Sequence, residues 1–441
     1  MPADAPPQPE TGQGGTALSR PFLTYVVLIL FLTHVLSYID RMALAVLLPA
    51  IKADYHLSDV QLGLLTGIAF TVSYAIIGIP IARLADRSNR RNVIGIAVLV
   101  WSGMTALTGV AQHFWHLMAA RLGVGAGEAG CIPPAHSLMG DIVPDRIRVG
   151  VLSFYTAGMP VGSLLGFALG GWLSDLVGWR HTFFIFGAAG GVLGLLLFLT
   201  VPEPLRRTHR DHPATSGRPF SQEVRLIARN PAFLCLLAGL GFAGFAITGL
   251  VQWLPSYFAR TFNLSMREIG PSFGVVYGLG SMCGIFFGGM IASPFFARDQ
   301  RWALWIPVGA YVCAFPLILA AIFTGSFPIA MACLFFGFAI LTCGFGPVYA
   351  LVQNIVPRDM RALAISLTLF ASNLIGAGLG PLLIGFASDQ ALAHGASHPL
   401  QVGVLVGMGF FPFPAIFYLI GSRFLTPKAE PHLPIASGAT K

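Results

Sequence analysis

Stretches of roughly 20 apolar residues constrain this chain more than any other feature, because a helix of that length matches the hydrocarbon thickness of a bilayer. Twelve such stretches can be drawn, over 22–49, 60–82, 92–111, 115–139, 149–174 and 180–201, then 231–258, 270–296, 302–323, 326–354, 362–387 and 400–421. Many hold Gly and Pro, which membrane helices tolerate because neighbouring helices satisfy the freed backbone groups. Strands of an outer-membrane barrel would be about half as long and would alternate in polarity. Composition agrees: 55% of the 441 residues are hydrophobic and 10% charged, where a soluble domain carries about 25% charge.

The sequence therefore predicts an all-α membrane protein with twelve transmembrane helices. Residues 1–20, rich in Pro, Gly and Gln, read as a disordered cytosolic tail with no signal peptide. The polar, basic stretch 202–229, punctuated by Pro and Gly, reads as a cytosolic linker between six spans in 21–201 and six in 230–422, with a cytosolic tail over 423–441. Of the 26 Lys and Arg, four face the side away from the termini, Lys52, Arg180, Arg260 and Arg267. Two more, Arg41 and Arg121, lie at membrane depth, and the remainder fall on the side of the termini. Both termini are expected to be cytoplasmic on this count. The net charge of +8 is then a topology signal spread over every inner loop, and it gives no reason to expect nucleic-acid binding.

An internal likeness supports two related halves. IVPDRIRVGVLSF at 142–154 resembles IVPRDMRALAISL at 355–367, pairing Pro144 with Pro357, Arg148 with Arg361 and Ser153 with Ser366. After a one-residue insertion it continues, Gly162 with Gly376, Gly166 with Gly380, Gly171 with Gly385 and Asp175 with Asp389. A repeat of six-helix units is the architecture of secondary transporters, in which two bundles rock about a central site.

Sixteen of the 18 acids fall in loops or at helix ends, leaving Asp40 in the first span and Glu128 in the fourth at depth. The buried cations, Arg41 and Arg121, lie in the same two spans. An ionisable group at that depth costs roughly 2.5–3.5 kcal/mol on insertion scales unless it is paired or hydrated, and such groups mark ion or proton pathways. Arg121 and Glu128 are seven residues apart, two helical turns on one face, so they can point into one cavity. His34, seven residues before Arg41, is a candidate proton relay. Around Glu128 the run GVGAGEAGCIPP carries Gly125, Gly127 and Pro133, expected to allow close helix approach and motion. The interior of the second half carries no formal charge and offers Gln252, Trp253, Tyr277, Tyr349 and Asn373 among many Phe and Leu.

Other classes find no support in the residues. There is no HExxH and no paired Cys-His cluster, and GPSFG at 270–274, which matches GxSxG by letter, lies in an apolar span and not at a strand-to-helix turn, so no enzyme, metal or cofactor is expected. The six cysteines lie in apolar segments and read as packing residues. A channel would need a pore lined by rings of carbonyls or charges. A non-transporting membrane sensor with a transporter fold stands as the alternative of another class.

ARLADRSNRR at 82–91 resembles the cytoplasmic loop motif of the major facilitator superfamily, G-x-x-x-D-R-x-G-R-R, through Asp86, Arg87, Arg90 and Arg91. It departs at Ala82 and Asn89, where the motif has glycine. RLGVGAGEAG from Arg121 resembles the fourth-span motif. GMPVGSLLGFALGG at 158–171, with Gly158, Pro160, Gly162 and Gly166, resembles a looser form of the fifth-span Gly-Pro motif. YIDR, GxGEA and FYxxxxPVGSxLG together are similar to the Spinster family, whose animal members carry lysophospholipids and sphingosine phosphate. The resemblance implies a bacterial, monomeric, proton-coupled transporter of the inner membrane that works by alternating access on an amphipathic or lipid-like small molecule. Asp40 and Glu128 would bind the protons, with Arg41 and Arg121 as partners, and Asp86 would latch the inner gate. An organic-anion symporter of the anion:cation type is the neighbouring alternative, in which Arg121 clamps a carboxylate.

Overall fold

A computed structural model describes residues 19–203, 220–357 and 360–425. The expected terminal tails and most of the 202–229 linker lie outside the described residues, as do the side chains of Asp86 and Arg87. The described chain is helical throughout, without strands. In order, the helices are α1 (Arg20–Tyr55), α2 (Asp59–Thr66), α3 (Ile68–Arg87), α4 (Arg90–Gly109), α5 (Phe114–Glu128), α6 (Ile132–Ile142), α7 (Asp145–Thr156), α8 (Gly158–Thr200) and α9 (Phe220–Ala228). Then follow α10 (Pro231–Phe262), α11 (Met266–Gly274), α12 (Gly280–Arg298), α13 (Trp302–Phe323), α14 (Phe327–Thr342), α15 (Phe345–Asn354), α16 (Arg361–Ala371), α17 (Leu379–Ala393), α18 (Pro399–Met408) and α19 (Pro412–Ser422). π-helical turns at Val275–Leu279 and Ser372–Gly378 join α11 to α12 and α16 to α17.

Ten segments of the described residues are long and apolar enough to cross a membrane. They differ from the expected twelve for two physical reasons. The stretch expected to form the fourth span is split into α5 and α6 where Gly130 and Pro133 interrupt the helical ladder. The fifth and sixth spans run together as one helical stretch, 146–200, with a break at Gly178, whose φ of +80° is open to a residue without Cβ. Across that break Trp179 Nε1 donates to Asp54 Oδ2 at 3.0 Å and Arg180 pairs with the same carboxylate, tying the turn to the end of α1.

Small residues set how closely the helices approach. Along α8, Gly162 lies under the Val35 carbonyl and Tyr38, Gly166 under Ile39 and Met42, and Gly170 under Ala43, so α1 seats directly on its backbone. Gly158 faces the His34 ring, and the Pro160 carbonyl lies against Gly278. On α5, Gly125 meets the Phe70 carbonyl and Ser73 of α3, while Gly127 meets Ala97 and Trp101 of α4. Pro133 stands in the first turn of α6, where its missing N–H leaves nothing unpaired.

Folding also exposes a second internal likeness. HLSDVQLG at 56–63 and NLSMREIG at 263–270 each begin with a residue in the left-handed region, His56 at φ 52° and Asn263 at φ 51°. Each then opens a helix with a capping box, Ser58 with Gln61 and Ser265 with Glu268. The helices so started cross to the opposite half of the chain: α2 packs on α17 and α11 packs on α8. Gly63 lies on the backbone of Pro381 and Leu382, and Gly270 on that of Phe167 and Gly171. Among the described residues, the hydrogen bonds and ion pairs joining the two halves lie at this end of the molecule, remote from the chain termini.

Candidate functional site

Midway along α1, Ser37 and Arg41 face one neighbouring helix and Asp40 faces another. Ser37 Oγ donates to Glu128 Oε2 at 2.7 Å, and Arg41 Nε donates to the same oxygen at 2.7 Å with Nη2 at 2.5 Å. Two donors on one oxygen offset the desolvation of a carboxylate that is 2% exposed, although its Oε1 has no partner. Asp40, 1% exposed, turns instead toward α4, where Thr105 Oγ1 donates to its Oδ2 at 3.0 Å. Its Oδ1 has no partner, and Asp40 forms no ion pair among the described residues.

Aromatic rings surround the cations. The Arg41 guanidinium sits 4.4 Å from the Phe70 ring centre, 5.0 Å from Tyr38 and 5.6 Å from Tyr74. Arg121 reaches the same Phe70 ring at 5.5 Å. It is buried, its Nε has no partner, and it makes no ion pair among the described residues. Glu128, two turns along α5 from Arg121, is thus held by Arg41 of α1. Seven-residue spacing places Arg121 and Glu128 on one helix, but the rotation of α1 selects which cation reaches the carboxylate.

His34 lies two turns before Arg41, stacked on Tyr155 at 4.5 Å and edge-on to Tyr38 at 5.4 Å. Its Nδ1 is 2.9 Å from the Tyr155 carbonyl, and since a carbonyl only accepts, Nδ1 carries a proton. In the second half, Trp253 Nε1 donates to the Pro381 carbonyl at 2.8 Å and is fully buried in helix packing. Tyr277 lies edge-on to Phe338 at 5.2 Å, and Asn373 donates to the Leu369 carbonyl.

At the other end of the bundle, Arg90 of the loop motif is 2% exposed and joins three helix ends. Its Nη1 pairs with Asp141 Oδ2 at 2.6 Å and also reaches Ser137 Oγ, and its Nε pairs with Glu203 Oε1 at 2.9 Å. The Arg91 backbone N–H donates to Glu203 Oε2, and its Nη1 to the Val201 carbonyl. Asn89, where the motif has glycine, accepts from the Asn92 N–H and caps α4.

Several of these residues escape sequence reading. Ser37 and Thr105 are neutral, Phe70 is one of 35 phenylalanines, and Glu203 falls at the start of the expected linker. A helical-face count from Asp40 reaches Ser37 but not its partner on α5, and it finds none of the others, because each is a neighbour only in space.

A multi-pass helical bundle enclosing a compact set of two carboxylates and two guanidiniums is the arrangement of a secondary transporter. The Major Facilitator Superfamily pattern matches residues 30–381, and the chain belongs to that family. It is 33% identical over 363 residues to an MFS-type efflux pump of Mycolicibacterium smegmatis, covering 82% of this chain and 83% of that one. It is 29% identical to protein spinster homolog 1 of Homo sapiens, covering 87% and 76%. A solved bacterial homolog of the human lysosomal transporter Spinster, inward-facing and unoccupied, superposes with a TM-score of 0.84 at 29% identity over 92% of this chain and 98% of that one. The chain is thus a transporter of this superfamily, related to Spinster, and not an enzyme. The solved D-xylose-proton symporter, at 17% identity, shares the fold, with a TM-score of 0.69 over 92% and 98%.

Proposed function

We propose that the protein is a proton-coupled secondary transporter that moves an amphipathic, lipid-like molecule with an anionic head by alternating access. Twelve crossings follow if α5 with α6 makes the fourth and 146–200 is divided at Gly178. The halves 21–201 and 230–422 then rock about the charge set as a monomer. The skew of basic residues supports cytoplasmic termini in a bacterial inner membrane.

One observation carries the reading: Glu128 is held by Arg41 and Ser37, while Asp40 beside it is equally buried and has no cation partner. With both acids ionised, the set is neutral. Protonating Asp40 leaves it at +1, and protonating Glu128 as well frees Arg41 and raises it to +2. The freed guanidinium and Arg121 would then both lie against the Phe70 ring, two cations available to an anionic group. Protons and an anion would therefore bind together. The reading is supported by the relatives, among them a sphingosine-1-phosphate transporter of Xenopus tropicalis, 26% identical over 90% of this chain. The unpaired Arg121 also favours a second reading, symport of a small organic anion without an apolar tail.

Proteoliposomes test this with a pH gradient and fluorescent lysophospholipid. Asp40→Asn and Glu128→Gln should each abolish gradient-driven movement while the protein stays folded. Full transport by both variants would end the proton-coupled reading. Transport of short carboxylates with exclusion of the lysolipid would favour the second reading.

A further inference from the structure

Asp59, the first residue of α2, is the most heavily engaged carboxylate at the end remote from the termini. It is 2% exposed, and its two oxygens are used by groups from three other helices. Lys52 Nζ of α1 reaches Oδ1 at 2.6 Å, and Arg260 of α10 donates through Nη1 to Oδ2 and Nη2 to Oδ1, each at 3.0 Å. Ser388 Oγ of α17 donates to Oδ2 at 2.7 Å. Next to Ser388, Asp389 accepts the Asp59 N–H at 2.9 Å on Oδ1 and the Val60 N–H at 2.8 Å on Oδ2, capping the opened end of α2 where the helix carries its partial positive charge. The backbone of Asp59 rests on Gly385. Arg260, Ser388 and Asp389 all belong to the other half of the chain, and with Lys52 the group balances two cations against two carboxylates.

The second internal likeness supplies a built-in comparison. At the related start of α11, Met266 stands where α2 has Asp59, and Arg267 where it has Val60. Arg267 reaches Asp175 across the halves at 3.8 Å, with the two side chains 59% and 44% exposed. Asp175 is the repeat counterpart of Asp389, yet among the described residues no buried carboxylate hub has formed at that seam. Two seams of the same design therefore differ in one respect: the α2–α17 seam holds charge-assisted hydrogen bonds on a buried carboxylate, whereas the α8–α11 seam holds an exposed ion pair.

We propose that the Asp59–Arg260–Asp389 group is a one-sided latch that holds this end of the molecule shut, and that it must come apart before the central site opens toward that side. Separating the halves leaves the Asp59 carboxylate without the Arg260 fork and the first turn of α2 without its cap. Once Asp59 is neutral, Lys52 and Arg260 face each other as like charges, so the closed arrangement is weakened from both directions. The α8–α11 pair is too exposed to bias the equilibrium in the same way. The inference rests on the alternating-access reading but requires neither proton coupling nor a particular substrate.

Hydrogen–deuterium exchange on the full chain in lipid nanodiscs separates the two. In Asp59→Asn, amides of 56–66, 256–270 and 385–395 should exchange about tenfold faster or more, as expected for the loss of charge-assisted hydrogen bonds. Arg267→Ala should stay within about twofold of the wild type there, the range of an exposed pair. Equal exchange in Asp59→Asn and the wild type overturns the latch, and equal acceleration by Arg267→Ala overturns its one-sidedness. If Asp59→Asn accelerates exchange over the whole chain through loss of fold, Arg260→Lys is read instead, since it keeps the charge and removes the two-donor fork. It should show the same local pattern more weakly, and its absence overturns the latch. Neither outcome alters the proteoliposome result, so failure of the latch and failure of the transport reading are distinct.

Discussion

Thr105 and Ser37 hold the two buried acids in different company, and single substitutions at these positions should separate the two roles. Thr105→Val keeps shape but removes the donor to Asp40 Oδ2, and Ser37→Ala removes one of two donors to Glu128. Thr105→Val should lower stability by about 1–3 kcal/mol where the acid stays charged, because a buried acceptor loses its partner, and Ser37→Ala by about 0.5–1.5 kcal/mol, because Arg41 still serves the same Glu128 oxygen. Melting temperatures in detergent check this, and an unchanged value for Thr105→Val would show that the bond contributes nothing. Arg121 makes a different prediction. Its guanidinium is buried beside Phe70 with no carboxylate attached, so Arg121→Lys should weaken binding of an anionic amphiphile about tenfold, a point charge being a poor copy of a planar fork. Isothermal titration measures it, and equal affinity would leave Arg121 a structural role.

Helix seams carry the next prediction. Gly162, Gly166 and Gly170 recur at every fourth residue of α8, which keeps them on one stripe beneath α1. A Cβ at Gly166 would meet the backbone of Ile39, so Gly166→Leu should destabilise by about 1–3 kcal/mol or prevent assembly. Gly191, on the same helix, has open space around it, and Gly191→Ala should stabilise by about 0.5–1 kcal/mol through lower unfolded-state entropy. Comparing the two by thermal unfolding tests whether the stripe or glycine content matters. Arg90 binds the ends of α6 and α8 to the start of α4, and Arg90→Ala would leave Asp141 and Glu203 half-buried without their cation. A loss of about 3–5 kcal/mol is expected for that kind of broken pair. The same elements show how far a sequence reading reaches. Loop-motif arginines and seam glycines are visible as residues, whereas Glu203 as the shared acceptor is not, because it enters from the far end of another helix.

For the molecule as a whole, the contacts between the halves set how firmly they close on each other. The two halves touch through glycine contacts at the α8–α11 seam, where Gly270 lies on the Phe167 carbonyl and against Gly171. A larger residue there should pry the halves apart at the end remote from the termini without touching the charge set. With spin labels at Gln112 and Gly325, in loops of opposite halves, Gly270→Val should lengthen the mean distance in a cysteine-free background. An unchanged distance distribution would show that this seam yields without moving the halves.

The sequence by itself determined what a bilayer imposes on one dimension of chain. Apolar length fixes which segments cross, the cost of buried charge singles out Asp40, Arg41, Arg121 and Glu128, and the loop-motif and repeat likenesses point to the superfamily. Partner choice was decided by tertiary structure. Arg41 takes Glu128, and Thr105 takes Asp40, because packing on the glycine stripe of α8 fixes the rotation of α1. The Asp59 group joins residues 201 and 330 positions apart in the chain, and its local sequence reads as an ordinary helix start. Whether a carboxylate there caps, pairs or meets water depends on which helix of the other half lies beside it, and that is a property of the assembled bundle.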